Sequence, residues 1–199
     1  MTAPEFVPGE DKYAADLAVL CDIAAHGRNA LIWQKAVDEG QSHSVFEIGR
    51  KAMLIPDHDL SLEHATVALV DGAVVGAVFG LSRPKDFGET IDPDALGPAM
   101  RGELELKAMT AGTWYLGVVS VYRELQGRGY GTALIKQAAK RARAEKNRKM
   151  TLIVAKSNGP AVKLYLKMGF RVIEERPCDP IRAGDEPDTW FLMRRILTP

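Results

Sequence analysis

Residues 126–132 read QGRGYGT; they follow a β-prone run at 113–122 and open a helical pattern at 129–145. Glycines at 127, 129 and 131 let the backbone turn tightly and leave no side chains over its amides. The start of the following helix presents unpaired N–H groups and the positive end of the helix dipole. The sequence therefore predicts a site for a phosphate or a pyrophosphate at this turn.

Three known kinds of phosphate-binding loop are alternative interpretations of residues 126–132. A Walker loop needs GxxxxGK[ST], and the Lys-Ser/Thr ending is missing. A dinucleotide-binding loop needs GxGxxG, whereas residues 127–131 give GxGxG. A coenzyme A pyrophosphate loop has the pattern Gln/Arg-x-x-Gly-x-Gly/Ala, which Gln126, Gly129 and Gly131 match. A glycine-rich turn without any ligand is the fourth alternative.

Downstream of the loop, strands and helices alternate. Strand patterns at 150–155, 170–175 and 189–196 are interrupted by a helical pattern at 158–168, which Gly169 closes as a C-terminal cap. This alternation predicts parallel strands joined by crossover helices.

Upstream, the chain predicts helices followed by an antiparallel hairpin. Asp71-Gly72 separates β-prone runs at 65–70 and 73–81, which is the strongest hairpin signal in the chain. Residues 83–102, punctuated by proline and glycine, predict a long loop or a broken helix. We therefore expect an α/β fold, a mixed sheet with helices on both faces, as one domain over 1–199. The remaining elements are helices at 11–25, 30–38 and 45–54 and a weak first strand at 6–8.

Composition excludes several classes of protein. The chain has 199 residues with 26 Lys+Arg and 26 Asp+Glu, so a general nucleic-acid-coating role is disfavoured. Cys21 and Cys178 lie far apart and the histidines show no ligand spacing, so we expect neither a metal site nor a disulfide scaffold. We also expect no membrane span and no secretion signal, hence a cytoplasmic protein.

Two longer stretches resemble a known family. Residues 119–135, VSVYRELQGRGYGTALI, resemble motif A of the GNAT superfamily of N-acetyltransferases. Residues 158–170, NGPAVKLYLKMGF, resemble its motif B, Asn-x-x-Ala-x-x-x-Tyr-x-x-x-Gly-Phe. The resemblance is sharp over 113–176. It implies the acyl-CoA N-acyltransferase type of fold, with a partly splayed central sheet and its coenzyme-binding core at about 113–176.

The resemblance also implies which residues bind acetyl-CoA, the cosubstrate. Backbone groups of Val119 and Val121, with Ser120 between them, would pair with the pantetheine arm along an exposed strand edge. Asn158 would bond the same arm, although an N-cap on the following helix explains it nearly as well. The pyrophosphate would be held by Gln126, Gly127, Arg128, Gly129, Tyr130, Gly131 and Thr132.

In the family, a tyrosine at the position of Tyr165 donates a proton to the departing thiolate. Its alternative role is that of a packed aromatic on a helix face. The general base that would accept the amine proton has no fixed motif position. Glu105 is one candidate, and Glu89, Asp92, Glu103 and His64 are weaker ones.

The resemblance implies transfer of an acetyl group to a primary amine by direct attack, without a metal. We expect a small-molecule acceptor rather than a protein, no nucleic-acid or membrane partner, and a homodimer as one allowed state. Two alternatives stay open. The fold could bind coenzyme A as a sensor or interaction module without turnover, or it could acetylate protein N-termini or lysines.

Overall fold

The computed structural model describes residues 3–95, 97–178 and 186–198. Within these ranges the chain forms a seven-stranded open sheet and six α-helices. The strands are β1 (Glu5–Pro8), β2 (Ala65–Val70), β3 (Ala73–Ser82), β4 (Trp114–Val121), β5 (Lys149–Ala155), β6 (Arg171–Cys178) and β7 (Asp188–Ile196). The helices are α1 (Ala14–Ala24), α2 (Arg28–Asp38), α3 (Val45–Ala52), α4 (Pro98–Ala108), α5 (Tyr130–Ala144) and α6 (Gly159–Lys167).

The sheet is mixed, and its strand order is β1-β2-β3-β4-β5-β7-β6. β4 and β5 pair in parallel, as the crossover through α5 predicts, while β1–β2, β2–β3, β5–β7 and β6–β7 are antiparallel. The expectation that the strands on either side of α6 pair with each other is wrong, because β7 lies between β5 and β6. The α/β fold with a mixed sheet is confirmed.

The side chains of β6 and β7 explain their order. β7 buries Trp190, Leu192 and Met193, which point to both faces as an inner strand requires. β6 reads RVIEERPC, and its Pro177 has no N–H to give to a further strand. A charged strand that contains proline suits the edge of a sheet.

The chain folds as two compact units, residues 1–80 with 117–138 and residues 81–116 with 139–199. In the first unit, helices α1 and α3 pack over the hairpin of β2 and β3. Gly49 of α3 approaches Trp33 of α2 so closely that an added Cβ would lie 2.6 Å from the indole ring. The buried core of this unit includes Leu17, Leu20, Cys21, Trp33, Met53, Val67, Phe79 and Val118.

The hairpin between β2 and β3 follows the prediction. Asp71 and Gly72 both have positive φ, 51° and 78°, which is the conformation of a two-residue turn between antiparallel strands. The weak first strand also exists, because Glu5–Pro8 pairs with β2.

In the second unit, helix α4 packs on the face of the sheet formed by β5, β7 and β6. Its Leu106 contacts Trp190 and Leu192, and its Gly102 lies where an added Cβ would be 2.2 Å from the Pro177 carbonyl oxygen. The prediction of a loop or broken helix at 83–102 is therefore only partly right. A 3₁₀ turn occupies Phe87–Thr90, and a full α-helix begins at Pro98 and runs to Ala108.

No helix in the described ranges is long and apolar enough to cross a membrane.

Candidate functional site

The glycine-rich loop leaves β4 and enters α5 within the first unit. Gly127 and Gly129 have φ of 74° and 84°, a backbone region that only glycine adopts without strain. A Cβ added at either position would meet no atom within 4 Å, so the space over these residues is open. The first main-chain bond of the helix runs from the Ala133 amide to the Gly129 carbonyl. The amides that begin α5 are therefore available to an anion.

Two polar side chains of the loop hold its own backbone. The Gln126 side-chain amide donates to the Val121 carbonyl over 3.1 Å, and Arg128 donates to the Glu124 carbonyl over 3.3 Å. The Gln126 nitrogen keeps a second N–H for a ligand. Both contacts fix the shape of the loop, which accounts for a Gln at the first position of the motif.

In the part of the chain that the structure describes, β4 pairs with β5 only near its start. Its register with β5 consists of two pairs at its start, Trp114↔Met150 and Tyr115↔Thr151. Beyond them Gly117 is exposed and Val119 is half-buried. On the β3 side, a Cβ on Gly76 would lie 2.5 Å from the Ser120 carbonyl oxygen, so the two backbones are in close contact there.

Ser120 carries a polar atom that the described structure leaves unsatisfied. Its side chain is buried, and its Oγ has no hydrogen-bond partner. A buried hydroxyl without a partner costs free energy, so water or a ligand group is expected to complete it. The loop, the helix start and this hydroxyl together fit a phosphate-bearing ligand with an amide-containing arm.

One contact near the loop was missed by sequence reasoning. The Tyr122 hydroxyl donates to Asp16 Oδ1 over 2.6 Å, and its amide donates to the Val75 carbonyl over 3.1 Å. Burial, together with Asp16, raises the pKa of Tyr122. Tyr122 therefore ties the end of β4 to α1 and β3. No local pattern could reveal a bond between residues so far apart in sequence.

Asn158 and Tyr165 belong to the second unit. Asn158 caps α6, since its Oδ1 accepts from the Ala161 amide over 3.3 Å, so the N-cap interpretation is confirmed. Tyr165 is 9% exposed and makes an edge contact with Phe170, with ring centroids 5.8 Å apart. Burial raises the pKa of Tyr165 to about 12. Its phenol is thus a packed group that keeps its proton at neutral pH, and its acid role stays a prediction.

The structure gives Glu105 a different environment from the one that a base needs. Its carboxylate accepts from Arg101 over 3.1 Å and from Arg176 over 2.8 Å. The hydrogen bonds from Arg101 and Arg176 lower the pKa of Glu105. A carboxylate stabilised in its charged form is a weaker proton acceptor, so this geometry favours a structural role for Glu105.

The candidate residues from Val119 to Thr132 thus lie together in the first unit, and Asn158 and Tyr165 lie in the second. Within the described ranges, no group of three or more His, Cys, Asp or Glu side chains could hold a metal ion.

Comparison with known proteins adds a family match. The model of a family described as "Acetyltransferase (GNAT) family" matches residues 25–170. A search of curated proteins found no match.

Solved structures share the fold at low sequence identity. The crystal structure of an acetyltransferase is 17% identical, with a TM-score of 0.65, and the match covers 98% of this chain and 100% of that chain. An N-acetyltransferase from Staphylococcus aureus Mu50 is 16% identical, with a TM-score of 0.61 and coverage of 96% and 99%. The NatC complex bound to Gag peptide and CoA is 16% identical, with a TM-score of 0.57 and coverage of 99% and 100%. At these identities the likeness concerns the fold.

Proposed function

Because the chain belongs to the GNAT family of acetyltransferases, we propose that it transfers an acetyl group from acetyl-CoA to a primary amine. The observation that carries this proposal is the glycine-rich loop at the start of α5. Gly127 and Gly129 have positive φ and open space above them, and they lead directly into free helix amides. This arrangement suits the pyrophosphate of coenzyme A.

The acyl donor supplies an activated thioester, and the residues of this chain bind and orient it. The amides of Tyr130, Gly131 and Thr132 would hold the pyrophosphate together with the loop backbone. The edge of β4 at Val119 and Val121 would accept the pantetheine arm through main-chain hydrogen bonds, with Ser120 between them, since the Ser120 carbonyl faces β3. The Val121 carbonyl also accepts from Gln126, and its second lone pair stays available for this pairing.

Direct attack by the amine forms the new C–N bond and breaks the C–S bond. Tyr165 is proposed to give its proton to the departing thiolate, because it stands at the motif position of the family's acid and a phenol is protonated at neutral pH. The amine loses one proton in the same reaction. That proton passes through water to the Tyr165 phenolate and restores the phenol, while Glu105 stays paired with Arg101 and Arg176.

The experiment that tests this function is an acetylation screen. Purified protein is mixed with acetyl-CoA and a panel of small amines, peptides with free N-termini and lysine-containing peptides, and free thiol is measured. Amine-dependent thiol release, with a matching acetylated product in the mass spectrum, is the expected result. Activity only on peptides would favour the protein-acetylating alternative.

Absence of turnover with every amine would overturn the enzyme proposal. If acetyl-CoA still bound in that case, the chain would be a coenzyme A sensor or interaction module. Parallel calorimetric titration with acetyl-CoA separates that outcome from a loss of binding altogether.

A further inference from the structure

Asp188, the first residue of β7, binds the turn that leads from β5 into α6. Its carboxylate accepts from the Ser157 hydroxyl over 2.5 Å and from the Ser157 amide over 3.3 Å to each oxygen. It also accepts from the Thr189 amide over 2.7 Å. A single carboxylate thus holds three donors, two of them on the turn.

These contacts continue the β5–β7 ladder beyond its last strand pair. The strands pair up to Ala155↔Trp190, and the Lys156 amide then donates to the Thr189 carbonyl over 2.8 Å. At the next residue, the Asp188 side chain takes the place of a backbone acceptor for Ser157. The chain can therefore leave the sheet at a defined point, with no backbone donor of Ser157 left unsatisfied.

Helix α6 starts immediately after this contact. The Asn158 amide donates to the Ala155 carbonyl, and the Asn158 side chain caps the helix at Ala161. Tyr165 lies seven residues after Asn158, on the same short helix. Because a helix is a rigid element, the position of the turn at Ser157 sets the position of the Tyr165 hydroxyl.

We propose that Asp188 is a positioning residue, which places Asn158 and Tyr165 by holding Ser157 at the start of α6. The catalytic effect of Asp188 rests on the proposed function. The ordering of the turn at Ser157 by Asp188 does not, so it can be tested separately.

The charge state of Asp188 agrees with this role. Burial alone would raise the pKa of Asp188, but the hydrogen bonds from Ser157 and Thr189 and the charge of Lys156 outweigh it, so the pKa is lowered. The carboxylate is therefore charged at neutral pH, and its oxygens are occupied by donors. This makes it a strong acceptor for Ser157 and a weak proton-accepting base.

The test combines kinetics with hydrogen–deuterium exchange. We expect Asp188→Ala to lower kcat by about tenfold to a hundredfold, as misplacement of a reacting group by about 1 Å does. Asp188→Asn keeps one acceptor oxygen and should restore most of kcat, while Ser157→Ala, which retains the amide contact, should give a smaller loss than Asp188→Ala. The KM for acetyl-CoA and the melting temperature of Asp188→Asn should stay close to those of the wild type.

A double-mutant cycle shows whether Asp188 acts through Tyr165. In a Tyr165→Phe background, Asp188→Ala should change kcat by less than about twofold, since coupled residues are non-additive. If the double variant instead lost kcat by the product of the two single-variant factors, Asp188 and Tyr165 would act independently, and the positioning role would be overturned. Glu175→Gln, which alters an exposed carboxylate on the neighbouring strand β6, is the matched control and should leave kcat unchanged.

Hydrogen–deuterium exchange tests whether Asp188 orders the turn, and it needs no acetyl transfer. Asp188→Ala and Ser157→Ala should both speed amide exchange at Ala161 and Val162 in α6, whereas Glu175→Gln should not. Unchanged exchange in both variants would refute the inference even if the enzyme is active. Faster exchange in a chain that acetylates no amine would refute the proposed function and leave the ordering role of Asp188 standing.

Discussion

The structure shows one of the two roles considered for Tyr165, that of a packed aromatic, and the proposed acid role does not conflict with it. It packs at the edge of Phe170 in a buried position, and that burial raises its pKa, so the phenol holds its proton at neutral pH as an ordinary tyrosine does. A group that must donate a proton at neutral pH needs both a fixed position and a retained proton. Packing and acid catalysis are therefore compatible at this residue.

Replacement of Tyr165 by Phe tests the acid role. The ring and its contact with Phe170 are kept and only the proton donor is lost, so kcat should fall by about a hundredfold or more. The dissociation constant for acetyl-CoA should change little. Steady-state thiol release and calorimetric titration measure the two quantities, and Tyr13→Phe in the first unit is the control. An unchanged kcat would remove Tyr165 from the mechanism.

The raised pKa of Tyr165 also predicts how stability depends on pH. The unfolded chain releases this proton near pH 10, whereas the folded chain holds it to about 12. The stabilisation is thus complete below about pH 10 and is lost as pH rises through about 12. Urea unfolding across this window measures how the free energy of unfolding falls with pH. The slope for Tyr165→Phe should be shallower than that of the wild type, and the difference should correspond to the release of at most one proton on unfolding. Identical slopes would contradict the shift.

Gly129 has a matched control in Gly40. Both have positive φ, 84° and 78°, and an added Cβ would meet nothing within 4 Å at either position. Substitution by Ala should therefore cost each variant about 1 kcal/mol of unfolding free energy from backbone strain. Only Gly129→Ala should weaken acetyl-CoA binding, because only its methyl group would stand over the helix amides. Equal binding by the two variants would count against the loop as the pyrophosphate site.

At the scale of elements, local chemistry decided what the sequence could predict. Asp71-Gly72 fixes the β2–β3 hairpin because both residues adopt positive φ, and the glycines before α5 mark its start. Helix α4 was predicted only as part of a loop or broken helix, because its stability comes from distant partners. Its Glu105 pairs with Arg176 of β6, and its Leu106 packs on Trp190 of β7.

Gly102 lies in the middle of α4, and we predict that its replacement by Ala lowers stability, whereas helix propensity alone would predict a gain. Gly102→Ala should raise helix propensity by up to about 1 kcal/mol, yet its Cβ would lie 2.2 Å from the Pro177 carbonyl oxygen. We expect a net loss of stability, since α4 must move away from β6.

Gly159, in the first turn of α6, provides the contrast for Gly102. An added Cβ there would meet nothing within 4 Å apart from its chain neighbours, so Gly159→Ala should cost less stability than Gly102→Ala, the remaining cost coming from the adjacent Pro160 ring. Thermal unfolding of both variants measures the difference. A higher melting temperature for Gly102→Ala would mean that the α4–β6 contact is looser than described.

At the scale of the whole molecule, the position of β7 illustrates the limit of sequence reasoning. The sequence predicts strands at the positions of β5, β6 and β7. Their order in the sheet, β5-β7-β6, depends on which of them can pair with a neighbour on both sides. That choice reflects Pro177 and the charges of β6 against the buried Trp190, Leu192 and Met193 of β7. The candidate site was likewise predicted at the loop, which is local in sequence, but Tyr122–Asp16 and Ser157–Asp188 join residues that are 106 and 31 positions apart.

Binding of acetyl-CoA should stabilise the whole chain against unfolding. At a free concentration of about 100 times its dissociation constant, a ligand that binds only the folded state adds about 2.7 kcal/mol. A rise in melting temperature with increasing acetyl-CoA is therefore expected, and a nucleotide lacking the pantetheine arm should give a smaller one. No shift at millimolar acetyl-CoA would count against the proposed donor.

Each compact unit contains one of the chain's two cysteines. Cys21 is fully buried in α1, and burial, with Asp22 beside it, raises its pKa, so the folded protein protects this thiol from alkylation. Cys178 is only half-buried, at the end of β6. When an alkylating reagent is present during gradual denaturation, modification of Cys21 therefore shows the denaturant concentration at which the first unit opens. The protein carries its own reporter of local unfolding, with no label to be engineered.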